Sequence, residues 1–196
     1  MNPAIEQSDY EDSVPSIPLT SILLWIFAAG MGYYFLSGFI WGAGYAPTDR
    51  KEIEKVAKFL GLKEGSTFYD LGCGYGRMII TIAQDYHAQC VGVEIDPLKC
   101  WWVRFMINSK KLEGRVKIMQ SNFLDVNLEE AENVFVFLSN STHIMKKLRE
   151  KMFREMKSGA HVVSYVHRFS DWTPEKVEGS LYLYSIPEHA DIRINS

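Results

Sequence analysis

Three cysteines in 196 residues, Cys73, Cys90 and Cys100, are too few and too irregularly spaced for a disulfide framework or a zinc site. They are expected as buried or half-buried thiols in a reducing compartment. The five histidines, at 87, 143, 161, 167 and 189, show no metal-ligand spacing and are expected at the surface or satisfied in the core. Internal repeats and low-complexity tracts are absent. There is no excess of base either: the formal net charge is -3, which argues against nucleic acid as a partner. The acids are unevenly spread. Glu6, Asp9, Glu11 and Asp12 fall in the first dozen residues with no base among them, and the remainder of the chain is close to neutral.

The most telling absence is of charge between Ser13 and Thr48. The apolar heart of this stretch, LTSILLWIFAAGMGYYFLSGFIW from Leu19 to Trp41, meets the roughly 20 mostly apolar residues a membrane-spanning helix needs. Trp25, Tyr33, Tyr34, Trp41 and Tyr45 supply interfacial aromatics, and Gly30, Gly32 and Gly38 are ordinary in membrane helices. A cleaved signal peptide wants a basic leader and a shorter apolar core, and neither is present. A buried or interfacial helix is the other reading. The expected organisation is an acidic tail over 1–18, a transmembrane anchor over 19–44 and a soluble domain over 45–196. Arg50, Lys51, Lys55 and Lys58 follow the segment and no base precedes it. The positive-inside rule therefore places a single-pass protein with its soluble domain on the cytoplasmic side.

With 47% hydrophobic residues, a packed core is within reach. From Asp49 to Leu60, after Thr48 as a helix-start residue, Ile53, Val56, Ala57 and Leu60 recur at helical spacing and Gly61 ends the run. Strands are expected at Thr67–Tyr69, Cys90–Glu94, Val116–Gln120, Val134–Leu138 and His161–Val166. Helices are expected at Arg77–Tyr86, from Pro97 to about Lys111, and at Thr142–Met156; Pro97 fits a first helical turn. Trp101 and Trp102 are expected to pack their helix onto the sheet. Leu181–Ile186 and Asp191–Ile194 read as a closing hairpin. Alternating strands and helices imply an α/β, doubly wound, mostly parallel sheet, with its ligand beyond the carboxyl ends of the strands.

The first strand ends at Asp70 and enters Gly72-Cys73-Gly74-Tyr75-Gly76. Glycine there lets the backbone turn tightly and lie against a ligand with no Cβ between. Dinucleotide enzymes also carry a glycine loop after a strand, but as GxGxxG; here the spacing is GxGxG. Asp70 stands where a carboxylate can pair with the cationic amino group of a methionine moiety. Glu94 ends the second strand about twenty residues on, where a carboxylate accepts ribose hydroxyls. Together they point to S-adenosyl-L-methionine and to a class I, Rossmann-like methyltransferase fold. After the third strand, Asn122 is placed to meet the adenine amine and Phe123 the ring; a plain strand-end turn is the alternative. After the fourth strand, Ser139 and Asn140 occupy the position that faces the departing methyl group in methyltransferases of this fold and are candidates to position an amine, with a helix N-cap as the alternative role. Methyl transfer is an in-line displacement, so alignment of the acceptor is the main demand. No Asn/Asp-Pro-Pro-Tyr/Phe run occurs, which disfavours adenine or glutamine as acceptor.

In order along the chain, Tyr45-Ala46-Pro47-Thr48, Tyr69 to Arg77, Gly92-Val93-Glu94, Asn122-Phe123, Phe137-Leu138, Gly159 to Ser164 and Trp172-Thr173-Pro174 resemble one family. It is that of the membrane-anchored protein-lysine N-methyltransferases acting on the c-subunit of ATP synthase, with soluble archaeal relatives of broad lysine specificity. The resemblance covers about Tyr45 to Pro174. It implies cofactor contacts at Asp70, Gly72, Gly74, Glu94 and Asn122, and closure of Tyr45 and Thr48 over the cofactor. Two departures stand out: Tyr75 replaces an Asp of the family, and Ser139-Asn140 replace a more apolar or Thr-containing turn. The resulting expectation is a membrane-tethered enzyme whose partner is a lysine-bearing protein, itself a candidate membrane protein. Methylation of a lipid or lipophile, and non-catalytic cofactor binding, are the alternatives.

Overall fold

The computed structural model describes residues 17–41, 49–138 and 142–188, with the side chains of the first helix described as far as Tyr33. The chain divides into two compact units, Met1–Leu36 and Ser37–Ser196. The first contains most of α1 (Leu19–Trp41), a helix of 23 residues without a charge. The segment expected as a membrane anchor is thus a helix. Among the described residues, however, no helix is long and apolar enough to cross a membrane.

The second unit is the α/β domain. Its elements run α2 (Arg50–Phe59), β1 (Thr67–Leu71), α3 (Arg77–Asp85), β2 (Gln89–Glu94), α4 (Pro97–Ser109), β3 (Val116–Gln120), β4 (Asn133–Val136), α5 (Thr142–Glu155), β5 (His161–Tyr165), β6 (Lys176–Glu178) and β7 (Leu181–Ser185). One sheet holds all seven strands in the order β3-β2-β1-β4-β5-β7-β6. β3, β2, β1, β4 and β5 are parallel, and β7 enters antiparallel beside β5. The order reverses between β1 and β4. That is the topological switch point, where the first loops on either side diverge and open a crevice.

Apolar residues cover both sheet faces. Ile53 and Val56 of α2, Ile79 and Ile82 of α3 and Val103 and Ile107 of α4 join Phe68 and Phe135 in one cluster. Met145, Leu148 and Met152 of α5 join Leu71, Val134 and Val136 in the other. β4 is buried at every position, and Val134–Val136 read as a continuous apolar run because the strand is covered from both sides. Helices on both faces confirm the doubly wound architecture.

Three local expectations change. Asp49, not Thr48, caps α2, its carboxylate accepting from the Arg50 N–H at 2.7 Å; Thr48 lies outside the described residues. The hairpin partner of β7 is β6, upstream, across a turn at Gly179-Ser180, and the expected second strand at Asp191–Ile194 lies outside the described residues. Trp101 and Trp102 do not pack α4 onto the sheet: they are 64% and 41% exposed. Cys100, Val103 and Ile107 form the buried face instead.

Candidate cofactor and methyl-transfer site

β1 delivers Asp70 and β2 delivers Glu94 to the carboxyl edge of the sheet, where both are only 5% exposed. Between them runs the glycine loop. Gly72, Gly74 and Gly76 all have positive φ, at 89°, 54° and 74°, a region open to glycine and costly for other residues. Each glycine has its own surroundings. A Cβ on Gly76 meets Val103 of α4 at 2.9 Å, whereas one on Gly74 meets nothing within 4 Å. The loop is therefore packed where it enters α3 and open at Gly74, where a ligand can lie against the backbone. The loop's start is held by Gly72 and Cys73, whose N–H groups donate to the Val93 carbonyl at 2.8 and 3.0 Å.

Glu94 is fixed by the backbone around it. Its Oε2 accepts from the Gly74 N–H at 2.9 Å, and its Oε1 accepts from Ile95 and Asp96 at 3.0 and 2.9 Å. A carboxylate offers about four acceptor sites, so one on Oε2 remains for a ligand hydroxyl. Asp70 is different. Burial, and then the nearby Glu94 carboxylate, push its carboxyl up from 3.8 to about 7. Among the described residues no cation or hydrogen-bond donor offsets that burial. A buried carboxyl pair beside an open glycine backbone calls for a cationic, hydroxyl-bearing ligand. The sulfonium, ammonium and ribose of S-adenosylmethionine answer each of these demands.

Asn122 and Phe123 follow β3 at the same edge. Asn122 is exposed, and its Oδ1 accepts from the Leu124 N–H at 3.0 Å, forming a local turn. Phe123 is half-buried against the α5-side cluster. Ile95, half-buried directly after Glu94, is an apolar residue at the same edge that sequence reasoning passed over; its place next to the strand-end carboxylate was the available signal. Leu138 reaches Gly72, 3.5 Å from where a Cβ would be. Phe137 meets Tyr165 edge-on at 4.9 Å, so aromatic side chains close the ends of β4 and β5. Ser139, Asn140, Tyr45 and Thr48 lie outside the described residues. The three cysteines are buried as expected. Burial first of all pushes Cys90 to about 12 and Cys100 to about 11 and holds Cys73 well above the usual thiol range, which keeps all three as thiols rather than thiolates at neutral pH.

Comparison with known proteins decides the family. The sequence profile of the ANTKMT methyltransferase domain matches residues 70–176, from the first site carboxylate to the last strand pair. The chain belongs to this methyltransferase family. A protein-lysine N-methyltransferase of Saccharolobus islandicus is 34% identical over 74% of this chain and 94% of its own length. The human lysine N-methyltransferase of the ATP synthase c-subunit is 31% identical over 69% of this chain and 56% of its own length. Among solved structures, an RNA methyltransferase from Salinibacter ruber in complex with S-adenosyl-L-homocysteine superposes with a TM-score of 0.68 at 28% identity, over 73% of this chain and 95% of that one. This methyltransferase accordingly uses S-adenosylmethionine, and the cradle at Asp70, Gly74 and Glu94 fits that cofactor.

Proposed function

We propose that this methyltransferase modifies the ε-amine of lysine in a protein substrate and works tethered at a membrane surface. The observation that carries the acceptor is the match to a protein-lysine N-methyltransferase along 94% of that protein's length, joined to a site built for S-adenosylmethionine. When bound, that cofactor supplies an electrophilic methyl group on a sulfonium. In this reading Asp70 takes the cofactor's ammonium, Glu94 a ribose hydroxyl, Gly72 and Gly74 the close backbone approach, and Asn122 and Phe123 the adenine. Tyr45 and Thr48 close over it. Ser139 and Asn140, after β4, orient the incoming amine, which must be neutral to attack. Phe137 and Tyr165 keep water from the strand ends, and a dry, aligned site is most of what an in-line displacement requires.

Tethering is supported by α1. Leu23, Leu24, Trp25, Ile26 and Phe27 are all more than half exposed, on a helix apolar all round, the pattern of a helix made for lipid. The following bases Arg50, Lys51, Lys55 and Lys58 favour a cytoplasmic site. The test is incubation of the full chain with methyl-labelled cofactor and membrane extract, followed by organic extraction, nuclease treatment and mass spectrometry. Label on protein lysine is expected. Label confined to lipid or to RNA overturns the acceptor, and cofactor affinity without turnover on any fraction overturns catalysis.

A further inference from the structure

Among the described residues, the outer face of α4 packs against no other element. Leu98, Trp101, Trp102 and Phe105 are 53%, 64%, 41% and 53% exposed. A helix advances about 100° per residue, so these four fall within one stripe, opposite the buried Cys100, Val103 and Ile107. Trp101 stacks on Phe105 at 6.3 Å, and Trp102 leans on the same ring at 5.8 Å, so the rings form one apolar plate. Contiguous exposed apolar surface of this kind marks a binding face.

Charge selects the occupant. From 97 to 117 the exposed bases are Arg104, Lys110, Lys111, Arg115 and Lys117, against one exposed acid, Glu113, although the whole chain is at -3. Of these bases, Arg104 flanks the apolar stripe on α4, and Lys110 and Lys111 follow the helix's last turn. Tryptophan, phenylalanine and leucine on one helix face with bases beside and beyond them suit the headgroup boundary of an anionic bilayer. Position adds a reason. α4 begins directly after Asp96, whose N–H donates to the Glu94 carboxylate, and lies at the β3 end of the sheet. Its exposed Leu98 and Trp101 therefore stand next to the cofactor edge.

We propose that the Leu98–Trp101–Trp102–Phe105 face of α4 docks on an anionic phospholipid surface, holding the cofactor edge at the bilayer. The contact is separate from α1 and does not need α1 to span. An RNA strand fits the bases and the rings less well, because the rings stack on one another and Leu98 offers no hydrogen bond.

The test uses the full chain with a spin label at Phe105→Cys and, as control, at Glu150→Cys, exposed on α5 across the sheet. The native thiols are buried and slow to label. Unchanged cofactor affinity certifies the fold. On adding phosphatidylcholine vesicles containing phosphatidylglycerol, collisions of the 105 label with oxygen should rise severalfold and those with a water-soluble nickel chelate should fall severalfold, with the 150 label unchanged. Leu24→Lys with Phe27→Lys in α1 should preserve this response, while Arg104→Glu with Lys110→Glu and Lys111→Glu should abolish it. A 105 label that stays in water on vesicle-bound chain overturns the proposal and leaves tethering by α1 standing. Protection of that label without vesicles, by rising protein concentration or by single-stranded RNA, overturns it in favour of a second copy or a nucleic acid.

Discussion

Asp70 and Glu94 share one edge of the sheet, yet their environments differ enough to give separable predictions. Asp70 sits at about 7 in the folded protein against 3.8 ordinarily. Between those values the folded state keeps a proton that the unfolded state has lost, so cofactor-free stability falls as pH rises through that window. Asp70→Asn should therefore stabilise the cofactor-free protein by about 2–4 kcal/mol at pH well above 7 and change little near pH 4, read as Tm across pH. If Asp70 takes the cofactor's ammonium as proposed, binding reverses the sign, because that charge favours its ionised form. Calorimetry in buffers of different ionisation heat should show proton release on binding in the range of about pH 5–7. The same Asn variant should lose most of its affinity. Glu94 carries three backbone N–H groups besides its proposed contact with the cofactor. Glu94→Ala should weaken cofactor binding by about 1.5–3 kcal/mol and also lower Tm, since the N–H groups of Gly74, Ile95 and Asp96 lose their acceptor. Unchanged affinity would remove Glu94 from the site.

At the scale of elements, tight packing behind the glycine loop makes β2 sensitive. A Cβ on Gly92 lies 2.6 Å from Ile79 and 2.7 Å from Cys73, so Gly92→Ala must push α3 and the loop away from β2. The expected cost is about 1–3 kcal/mol in urea denaturation, with cofactor affinity falling alongside. Trp172, one of the residues that carried the family resemblance, belongs to the aromatic cluster with Phe153, Phe169 and Tyr184. This packing gives it a structural role: Trp172→Ala should cost about 2–4 kcal/mol while the folded fraction keeps its affinity. These elements also show what the chain reveals without a structure. Parallel strands, their order of appearance, the glycine loop and Glu94 were legible because each is encoded locally, by apolar runs, turn residues and a fixed spacing. β6 was missed because Lys176–Glu178 is exposed throughout and has no apolar alternation to betray it. Trp101 and Trp102 were misplaced because apolarity says that a side chain leaves water, not whether it leaves for the core or for a partner. The shift of the α2 cap by one residue arose because Thr48 and Asp49 are both competent caps.

The whole chain separates an uncharged helix from a domain that has its own core on both faces of its sheet. A domain so packed should bind cofactor without α1, which makes the segment before α2 testable by itself. A chain beginning at Gly42 should keep the affinity of the full protein. A chain beginning at Asp49 retains the α2 cap and both carboxylates, so its stability should be close to that of the longer one. If Tyr45 and Thr48 close over the cofactor, the shorter chain should nevertheless bind about 10- to 100-fold more weakly, a difference of about 1.4–2.7 kcal/mol. Calorimetric titration of the two chains side by side measures it. A loss of affinity at equal Tm locates the defect in closure over the ligand, since the fold is intact. Equal affinity removes Tyr45 and Thr48 from the site and leaves Asp70, Glu94, the glycine loop, Asn122 and Phe123 as the proposed cofactor cradle.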